Sequence, residues 1–368
     1  MSLMKKKIIV SAVNLTLGGT LTVVRDLLNE LDRRTDVSVI ALVHDKKLFE
    51  SFKHVKLIAV PTVKKSWIKR LWFEFFISNI LSKRLLPDYW LCMHDISAKI
   101  SHGKQFVYCH NPSPFYKKRV RAKDLYFDWK FFLFNFFYGT LYRINIKSNY
   151  TVFVQQSWIA EQFKDKYKIT NVKVVRPYID KQDKIDNVWQ FTCPENGKIK
   201  VFYPSIPRVF KNFEVILQVA KDLEYTDRIE FILTFDGSEN KYSKSLYEKY
   251  KDLKNTKFIG VQSKDEMEKL YSEVDIVCFP SKLETWGLPI TEAKSYKLPL
   301  ILADLPYAYE TLGTYNKVVF FPPEDAIALK EIFIKIISNQ SVFIEKKAIY
   351  NELAIEGWAS FVNEVLKD

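Results

Sequence analysis

Short apolar strands alternate with amphipathic helical segments along the first part of the chain. The run Lys7–Val13 has the length and composition of a buried strand, and Leu21–Arg33 places its apolar residues on one face of a helix. Val37–Val43 and Val55–Val60 repeat the strand signal. Since strands that alternate with helices form parallel sheets covered by helices, this pattern predicts an α/β fold.

The same pattern starts again after a polar stretch at residues 180–198. Apolar strands are predicted at Lys200–Tyr203, Glu230–Thr234 and Ile276–Phe279, with helical segments between them. A chain of 368 residues is long enough for two ordinary domains with separate cores. We therefore interpret residues 180–198 as the linker between two α/β domains.

The composition limits the classes of partner. Apolar residues make up 48% of the chain and charged residues 27%, as in globular proteins. The net charge of +13 favours an anionic partner such as a nucleotide, a nucleic acid or an anionic membrane surface. Four cysteines without metal-binding spacing, and a short basic start that lacks the pattern of a signal peptide, indicate a cytoplasmic protein with reduced thiols.

Two segments are rich in aromatic residues. Residues 63–86 combine Trp67 and Trp72 with lysines and arginines at helical spacing, and residues 127–138 are nearly all aromatic or apolar. A basic amphipathic helix with tryptophans is typical of an element that lies on a membrane surface. The alternative is an ordinary helix that packs its apolar stripe on a sheet. Lys69, Arg70 and Glu74 interrupt the first segment, so it is not expected to span a membrane. The second is too short to span and is flanked by Lys130 and Arg143, which favours a buried or interfacial helix.

Residues 275–297 carry the densest chemical signal. An apolar strand ends before a loop that contains Glu284 and Gly287, and Pro289 then begins a helix whose first turn holds Glu292. Amides at a helix N-terminus suit a phosphate, and glycine lets a ligand approach the backbone closely. The carboxylates can accept hydrogen bonds from sugar hydroxyls. The alternative is that Glu292 favours the helix dipole and Glu284 is solvated.

Further polar residues follow other predicted strands. Arg208 and Lys211, three apart ahead of a helix, can contact two oxygens of a diphosphate, although solvated surface cations would show the same spacing. His94 and His110 each follow an apolar strand, so the two histidines are expected at one edge of a sheet. The alternative for each histidine is a half-buried imidazole with a purely structural role.

Two strings of residues resemble known enzymes. The string Pro280-Ser-x-x-Glu284-x-Trp-Gly-Leu-Pro289-x-x-Glu292-Ala resembles the Glu-x7-Glu signature of retaining glycosyltransferases of the GT-B fold, the group 1 or family-four type, with Trp286 where that family usually has Phe. The string Tyr108-Cys-His110-Asn-Pro-x-x-Phe-Tyr resembles bacterial mannosyl- and rhamnosyltransferases of surface polysaccharide synthesis, with Pro114 in place of the usual Arg.

The resemblance implies a fold and a division into domains. The GT-B fold has two Rossmann-like, doubly wound domains that face a central cleft, and a C-terminal helix that crosses back to the N-terminal domain. Residues 1–185, with the crossing helix in 350–368, would form the acceptor-side domain. Residues 186–349 would form the domain that binds the nucleotide sugar.

The resemblance also implies roles for residues. Glu284 and His110 would be catalytic, beside the donor sugar. Residues that would bind the donor are Arg208, Lys211, Glu292, Gly287, Leu288, Val261 and Gly19. Residues that would lie on the acceptor side are His94 and Asn111.

The implied activity is retaining, metal-independent transfer of a hexose from a nucleotide-diphosphate sugar to a glycan or polyprenyl-linked glycan, as in O-antigen or capsule synthesis. No cofactor or metal is expected, and the enzyme would be cytoplasmic, peripheral on the inner face of the plasma membrane. The alternatives are a non-catalytic, glycosyltransferase-like binding subunit and a nucleotide-sugar epimerase of the same fold. A nucleic-acid binder is disfavoured because the sequence has no helix-turn-helix, zinc or RNA-recognition signature.

Overall fold

The chain divides into two compact units. The computed structural model describes residues 5–16, 18–49, 52–116, 122–176, 191, 197–340, 342–343 and 354–367, so the linker predicted at 180–198 lies almost entirely outside the described residues. Unit 1 comprises Met1–Phe115, Phe134–Ile179 and Asn351–Asp368, and unit 2 comprises Tyr116–Leu133 and Asp180–Tyr350.

The first part of the chain supplies the elements of unit 1. Its strands are β1 (Lys6–Ala12), β2 (Val37–Val43), β3 (Val55–Ala59), β4 (Tyr89–Cys92), β5 (Lys104–Cys109), β6 (Thr151–Val154) and β7 (Val172–Arg176). Its helices are α1 (Gly18–Asp32), α2 (Trp67–Trp72), α3 (Ser78–Leu85), α4 (Ala122–Arg143), whose first part belongs to unit 2, and α5 (Ser157–Tyr167).

The second part of the chain supplies unit 2 and then returns to unit 1. The strands are β8 (Ile199–Tyr203), β9 (Ile229–Leu233), β10 (Thr256–Phe258), β11 (Ile276–Phe279), β12 (Leu300–Ala303), β13 (Val318–Phe321) and, in unit 1, β14 (Ile355–Glu356). The helices are α6 (Phe213–Asp222), α7 (Lys241–Tyr250), α8 (Lys264–Glu273), α9 (Leu288–Ser295), α10 (Pro306–Leu312), α11 (Ala326–Ile337) and, in unit 1, α12 (Gly357–Leu366).

Both sheets are parallel and doubly wound. The strand order in unit 1 is β14-β7-β6-β5-β4-β1-β2-β3, and the order in unit 2 is β10-β9-β8-β11-β12-β13. The order reverses between β1 and β4 in unit 1 and between β8 and β11 in unit 2. In open α/β sheets, ligands bind beyond the carboxyl ends of the strands at this switch point. The loops that follow β8 and β11 are therefore where the fold favours a ligand in unit 2.

Alternating side chains of β1 separate the two cores of unit 1. Ile8 and Val10 face the helix α1 layer, whereas Ile9 packs on the opposite face of the sheet. Helix α12 buries Trp358 and Phe361 in the first of these cores, beside α1. The chain's last helix thus completes the unit with which the chain begins, and the α/β prediction is confirmed in both units.

Several predicted element boundaries change in the structure. Strands β2 and β11 have the predicted ends. The predicted strand Lys7–Val13 is β1 over Lys6–Ala12, and the helix predicted over Leu21–Arg33 already begins at Gly18 and ends at Asp32. The single helix predicted within residues 63–86 is interrupted by a π-helical turn, Phe73–Ile77. None of the described helices combines the length and apolar character needed to span a lipid bilayer.

Residues 116–133 group with unit 2, although the sequence predicts one domain over 1–185. The contacts that hold this segment explain the difference. Asp128 pairs with Arg208 at 2.9 Å, and the Phe131 ring packs against Phe210 with centroids 5.0 Å apart. Since these partners are about 80 positions away in the chain, the local sequence pattern does not reveal them.

Candidate active site

Two loops flank the switch point of unit 2, and the structure fastens them together. The first follows β8 and carries Lys211; the second follows β11 and carries Glu284. The Lys282 amide donates to the Phe210 carbonyl at 2.8 Å, and the Asn212 side chain donates to the Pro280 carbonyl at 3.2 Å. Side chains on either loop are therefore held at fixed positions relative to the other loop.

Lys211 and Glu284 form an ion pair in the centre of this arrangement. The Lys211 Nζ lies 2.5 Å from the Glu284 Oε1, and the two side chains are only 16% and 13% exposed. The Tyr203 hydroxyl donates to the Lys211 carbonyl at 2.6 Å and fixes the backbone below the lysine. Two of the residues predicted to meet at the donor are thus in direct contact, and low exposure strengthens their interaction.

Arg208 lies on the same loop but has a different partner. Its Nε donates to the Asp128 Oδ2 at 2.9 Å, and its side chain is 44% exposed. Asp128 is not predicted from the sequence, because a carboxylate in an aromatic segment far from the loop carries no recognisable signal. Arg208 and Lys211 therefore each neutralise one carboxylate in this state.

Gly287 lies between the second loop and α9 in a conformation that favours glycine. Its φ is +83°, in the left-handed region, and a Cβ there would come within 3.3 Å of Ile290. The neighbouring Trp286 is buried, and its Nε1 donates to the Thr291 hydroxyl at 3.0 Å. The tryptophan that departs from the family pattern is accommodated inside the loop, ahead of Leu288 at the start of α9.

Glu292 is exposed in α9 and is held by one of its two oxygens. The Tyr271 hydroxyl donates to the Glu292 Oε2 at 2.7 Å. Burial and the adjacent Glu292 charge raise the pKa of Tyr271, so the hydroxyl remains a donor at neutral pH. The Glu292 Oε1 has no protein partner among the residues that the structure describes, which leaves it able to accept a hydrogen bond from a ligand hydroxyl.

The turn after β10 exposes the Val261 side chain. The Val261 side chain is 69% exposed. Gly260 before it has a φ of +68°, and a Cβ at this position would come 2.9 Å from the Asp236 Oδ2, so both the backbone and the space favour glycine. Phe235, just after β9, is fully buried and packs on Phe213 and Phe258. Its ring therefore fills the core of unit 2.

In unit 1, His110 follows β5 with both ring nitrogens engaged. Its Nε2 lies 2.9 Å from the Met93 carbonyl, which can only accept, so this nitrogen carries the proton. The Gln155 amide then donates to Nδ1 at 3.3 Å. Burial lowers the pKa of His110, although the nearby Asp95 charge opposes the shift, so the ring is neutral at pH 7.

His94 is fully buried, which favours the structural alternative given for it over contact with an acceptor. It is 0% exposed, and its Nε2 lies 3.0 Å from the Ser11 Oγ and 3.3 Å from a Glu74 oxygen. Burial, together with the Arg70 charge, holds the pKa of His94 well below its usual range, and burial raises the pKa of Glu74 to about 8. His94 is therefore a neutral residue of the core of unit 1.

Asp95 organises this edge of unit 1, and sequence reasoning missed its role. Its carboxylate accepts from the Tyr138 hydroxyl at 2.8 Å, the Tyr142 hydroxyl at 3.0 Å, and the amides of His110 and Asn111 at 2.5 and 3.0 Å. Asp95 has a φ of +76°. Nothing in the sequence signals this, because the four donors come from two distant segments.

The predicted site residues thus fall into two groups. The first group lies on strand-end loops and helix starts of unit 2 and consists of Lys211, Glu284, Gly287, Leu288, Glu292, Arg208 and Val261. The second group lies beyond strand ends of unit 1. Gly19 is in the first turn of α1, which follows β1, and His110 and Asn111 follow β5. The Asn111 Nδ2 is buried without a partner in the described part of the chain, so it could donate to a ligand oxygen.

Comparison with known proteins identifies a fold and a family model that matches part of the chain. Residues 183–355 match the family model of glycosyl transferases group 1. No curated protein sequence matches the chain. Among solved structures, the lipopolysaccharide outer core galactosyltransferase WaaB in its apo form is similar, with a TM-score of 0.63 and 14% identity over 98% of this chain and 99% of that chain.

Two further structures have the same architecture. HepE from Anabaena, in complex with UDP and glucose, has a TM-score of 0.62 and 14% identity over 93% of each chain. Sucrose-phosphate synthase from Thermosynechococcus elongatus has a TM-score of 0.65 and 14% identity over 91% of this chain and 90% of that chain. The chain therefore has the GT-B architecture of two parallel α/β sheets.

Proposed function

We propose that this protein transfers a hexose from a nucleotide-diphosphate sugar to a glycan or lipid-linked glycan with retention of configuration. The proposal starts from the match of residues 183–355 to the family model of glycosyl transferases group 1. The observation that carries the proposal is the Lys211–Glu284 pair, 2.5 Å apart at the switch point of unit 2. This pair unites a phosphate-binding cation with a carboxylate that can accept sugar hydroxyls.

Charge development on the leaving group accounts for the two cations. When the bond between the sugar C1 and the donor phosphate oxygen breaks, negative charge grows on the nucleoside diphosphate. In our proposal Lys211 and Arg208 stabilise that charge, and the amides at Gly287 and Leu288 add the positive end of the α9 dipole. These groups supply the stabilisation that a divalent metal provides in other transferases.

The remaining donor contacts follow from hydrogen-bonding capacity. Glu284 accepts from a sugar hydroxyl near C1, the free Oε1 of Glu292 accepts from the ribose hydroxyls, and the backbone at Val261 meets the base. In unit 1, His110 and Asn111 bind the acceptor hydroxyl. This hydroxyl donates a hydrogen bond to the Nδ1 of His110 in place of the Gln155 amide. The acceptor oxygen bonds to C1 on the face that the phosphate leaves, and its proton passes to the departing phosphate.

A panel of donors tests the function. We expect one hexose donor, among UDP-, GDP- and dTDP-linked sugars, to be hydrolysed slowly, and its tritiated sugar to be transferred to a lipid extract, with or without EDTA. The anomeric configuration of the product should match that of the donor. Binding of a nucleoside diphosphate without any turnover would instead favour the non-catalytic subunit, and a changed sugar epimer without transfer would favour the epimerase.

A surface of unit 1 supports the further proposal that the enzyme lies on an anionic membrane, on the cytoplasmic side. Ile68, Trp72, Phe76 and Ile80 are all exposed, between 47% and 81%, and the Trp72 and Phe76 rings stack 4.2 Å apart. A row spaced by four residues drifts by about 40° per step around a regular α-helix. The row passes through the π-helical turn Phe73–Ile77, where each residue advances by a smaller angle than in an α-helix, so this drift is reduced.

The charges around this row favour anionic lipid over another protein surface. Lys65, Lys69, Lys83 and Arg84 are exposed in the same segment, whereas its one acidic residue, Glu74, is fully buried. A segment whose aromatic side chains are exposed and whose exposed charged residues are all cations matches the interface of an anionic bilayer, where rings enter the acyl boundary and cations contact phosphates.

We expect the variant Trp72→Glu/Phe76→Glu to lower co-flotation with phosphatidylglycerol-containing vesicles at least about tenfold, because burial of each large apolar side chain is worth about 1.5–3 kcal/mol. Tyr225→Glu is the matched control, since Tyr225 is an exposed aromatic residue of unit 2. Phosphatidylcholine vesicles should capture little of either protein. Equal flotation of the double variant and the wild type would contradict the proposed membrane face.

A further inference from the structure

Asp128 interrupts α4 and caps the part of the helix that follows it. Its backbone leaves the helical region at φ −146° and ψ 53°, and its Oδ1 accepts from the Phe131 amide at 3.2 Å. A side-chain oxygen that accepts from the amide three residues ahead is the arrangement of a helix N-cap. One of the two carboxylate oxygens is therefore committed to the helix.

The second oxygen holds Arg208. The Asp128 Oδ2 accepts from the Arg208 Nε at 2.9 Å, and the Asp128 side chain is mostly buried. Two aromatic contacts keep the segment in place: Phe131 packs on Phe210, two residues beyond Arg208, and Phe127 packs on Tyr242. The carboxylate is thus fixed by its own helix and by rings on both sides before it meets the guanidinium.

The bond to Asp128 leaves the two terminal nitrogens of the Arg208 guanidinium available to bind an anion. Only Nε is used, and neither terminal nitrogen of the guanidinium has a hydrogen-bond partner among the described residues. Those two nitrogens form the fork that matches two oxygens of a phosphate or diphosphate. A guanidinium that is anchored at Nε loses less side-chain freedom when an anion binds, so its affinity is higher than that of a mobile arginine.

We propose that Asp128 is a positioning residue of the donor site, which fixes the Arg208 guanidinium so that its two terminal nitrogens bind the donor diphosphate. This inference rests on the proposed function, since it assigns Arg208 to the diphosphate. It adds a residue that lies outside the matched segment 183–355 and about 80 positions from the arginine. The capping bond makes the arrangement dependent on the helical segment that begins at Asp128.

A double-mutant cycle tests the inference with Asp128→Ser, Arg208→Gln and the combined variant. Serine also caps helices well, so Asp128→Ser keeps the cap while removing the carboxylate from Arg208. The probes are UDP and GDP, titrated by calorimetry into the full-length protein. We expect Arg208→Gln to weaken binding of the preferred nucleotide by about tenfold or more and Asp128→Ser by about three- to tenfold, as for loss of a charge-assisted hydrogen bond.

In the Arg208→Gln background, Asp128→Ser should have no further effect on affinity, because Asp128 acts through the arginine. An equal loss of affinity in both backgrounds, or no loss in the wild-type background, overturns the inference while the donor site stands. Unchanged affinity of Arg208→Gln removes the diphosphate assignment itself. Thermal unfolding of each variant checks the fold. If Asp128→Ser does not fold, Asp128→Asn takes its place. Its single side-chain oxygen can accept from only one of the two donors, the Phe131 amide or the Arg208 Nε, so nucleotide binding should weaken.

Discussion

Lys211→Ala is expected to lower kcat for sugar transfer by about 10²–10³-fold, the usual cost of removing one preorganised group that stabilises charge in the transition state. The ammonium lies 2.5 Å from Glu284 in a mostly buried position, where water screens its charge poorly. The variant loses the stabilisation of the leaving diphosphate, and it also leaves Glu284 without its cation. Steady-state kinetics with the donor identified by the panel measure the loss.

Lys251→Ala is the matched control for this experiment. Lys251 is also paired with a glutamate, Glu248 at 2.7 Å, but the pair is exposed on the surface of unit 2. Its removal should leave kcat within about twofold of the wild type, since exposed ion pairs contribute little. Turnover of Lys211→Ala within a few-fold of wild type, in a protein with an unchanged melting temperature, would refute the assignment of the donor site.

Asp95→Ala is expected to lower the free energy of unfolding of unit 1 by at least about 3 kcal/mol, because each buried donor left without a partner costs about 1–3 kcal/mol. Four donors converge on this carboxylate, two of them from the buried Tyr138 and Tyr142 hydroxyls. Alanine has no side-chain oxygen that could accept from these donors. Urea unfolding, followed by the tryptophan fluorescence of the protein, measures the change.

Asp165→Ala provides the comparison for this experiment, since Asp165 is an exposed carboxylate on α5 of the same unit. It should change the unfolding free energy by less than about 0.5 kcal/mol. If Asp95→Ala unfolds at the same urea concentration as Asp165→Ala, water replaces the carboxylate without cost, and Asp95 does not organise this edge of the sheet.

The sequence predicts the fold well because the fold depends on local patterns. Apolar runs such as Val37–Val43 and Ile276–Phe279 can only be short buried strands, and the helices between them fix parallel pairing. The position of Glu284 in a loop and of Glu292 in the first turn of a helix also follows locally, from Pro280 and Pro289. Element order and candidate loops were therefore predictable without coordinates.

The partners of the site residues were not predictable, since each contact joins distant segments. The sequence places His94 and His110 at similar strand ends, and only Ser11, Glu74 and Arg70 from other elements decide that His94 is a neutral core residue. Likewise, no periodicity in the sequence predicts the π-helical turn that lies within the exposed apolar row Ile68, Trp72, Phe76 and Ile80 of unit 1. Contacts of this kind are set by tertiary packing.

The position of a bound nucleoside diphosphate tests the central claim most directly. A crystal structure of the protein with its preferred nucleoside diphosphate should show phosphate oxygens within hydrogen-bond distance of the Lys211 Nζ and the terminal nitrogens of Arg208, and a ribose hydroxyl on the Glu292 Oε1. Nucleotide density that contacts none of these three side chains would contradict the account.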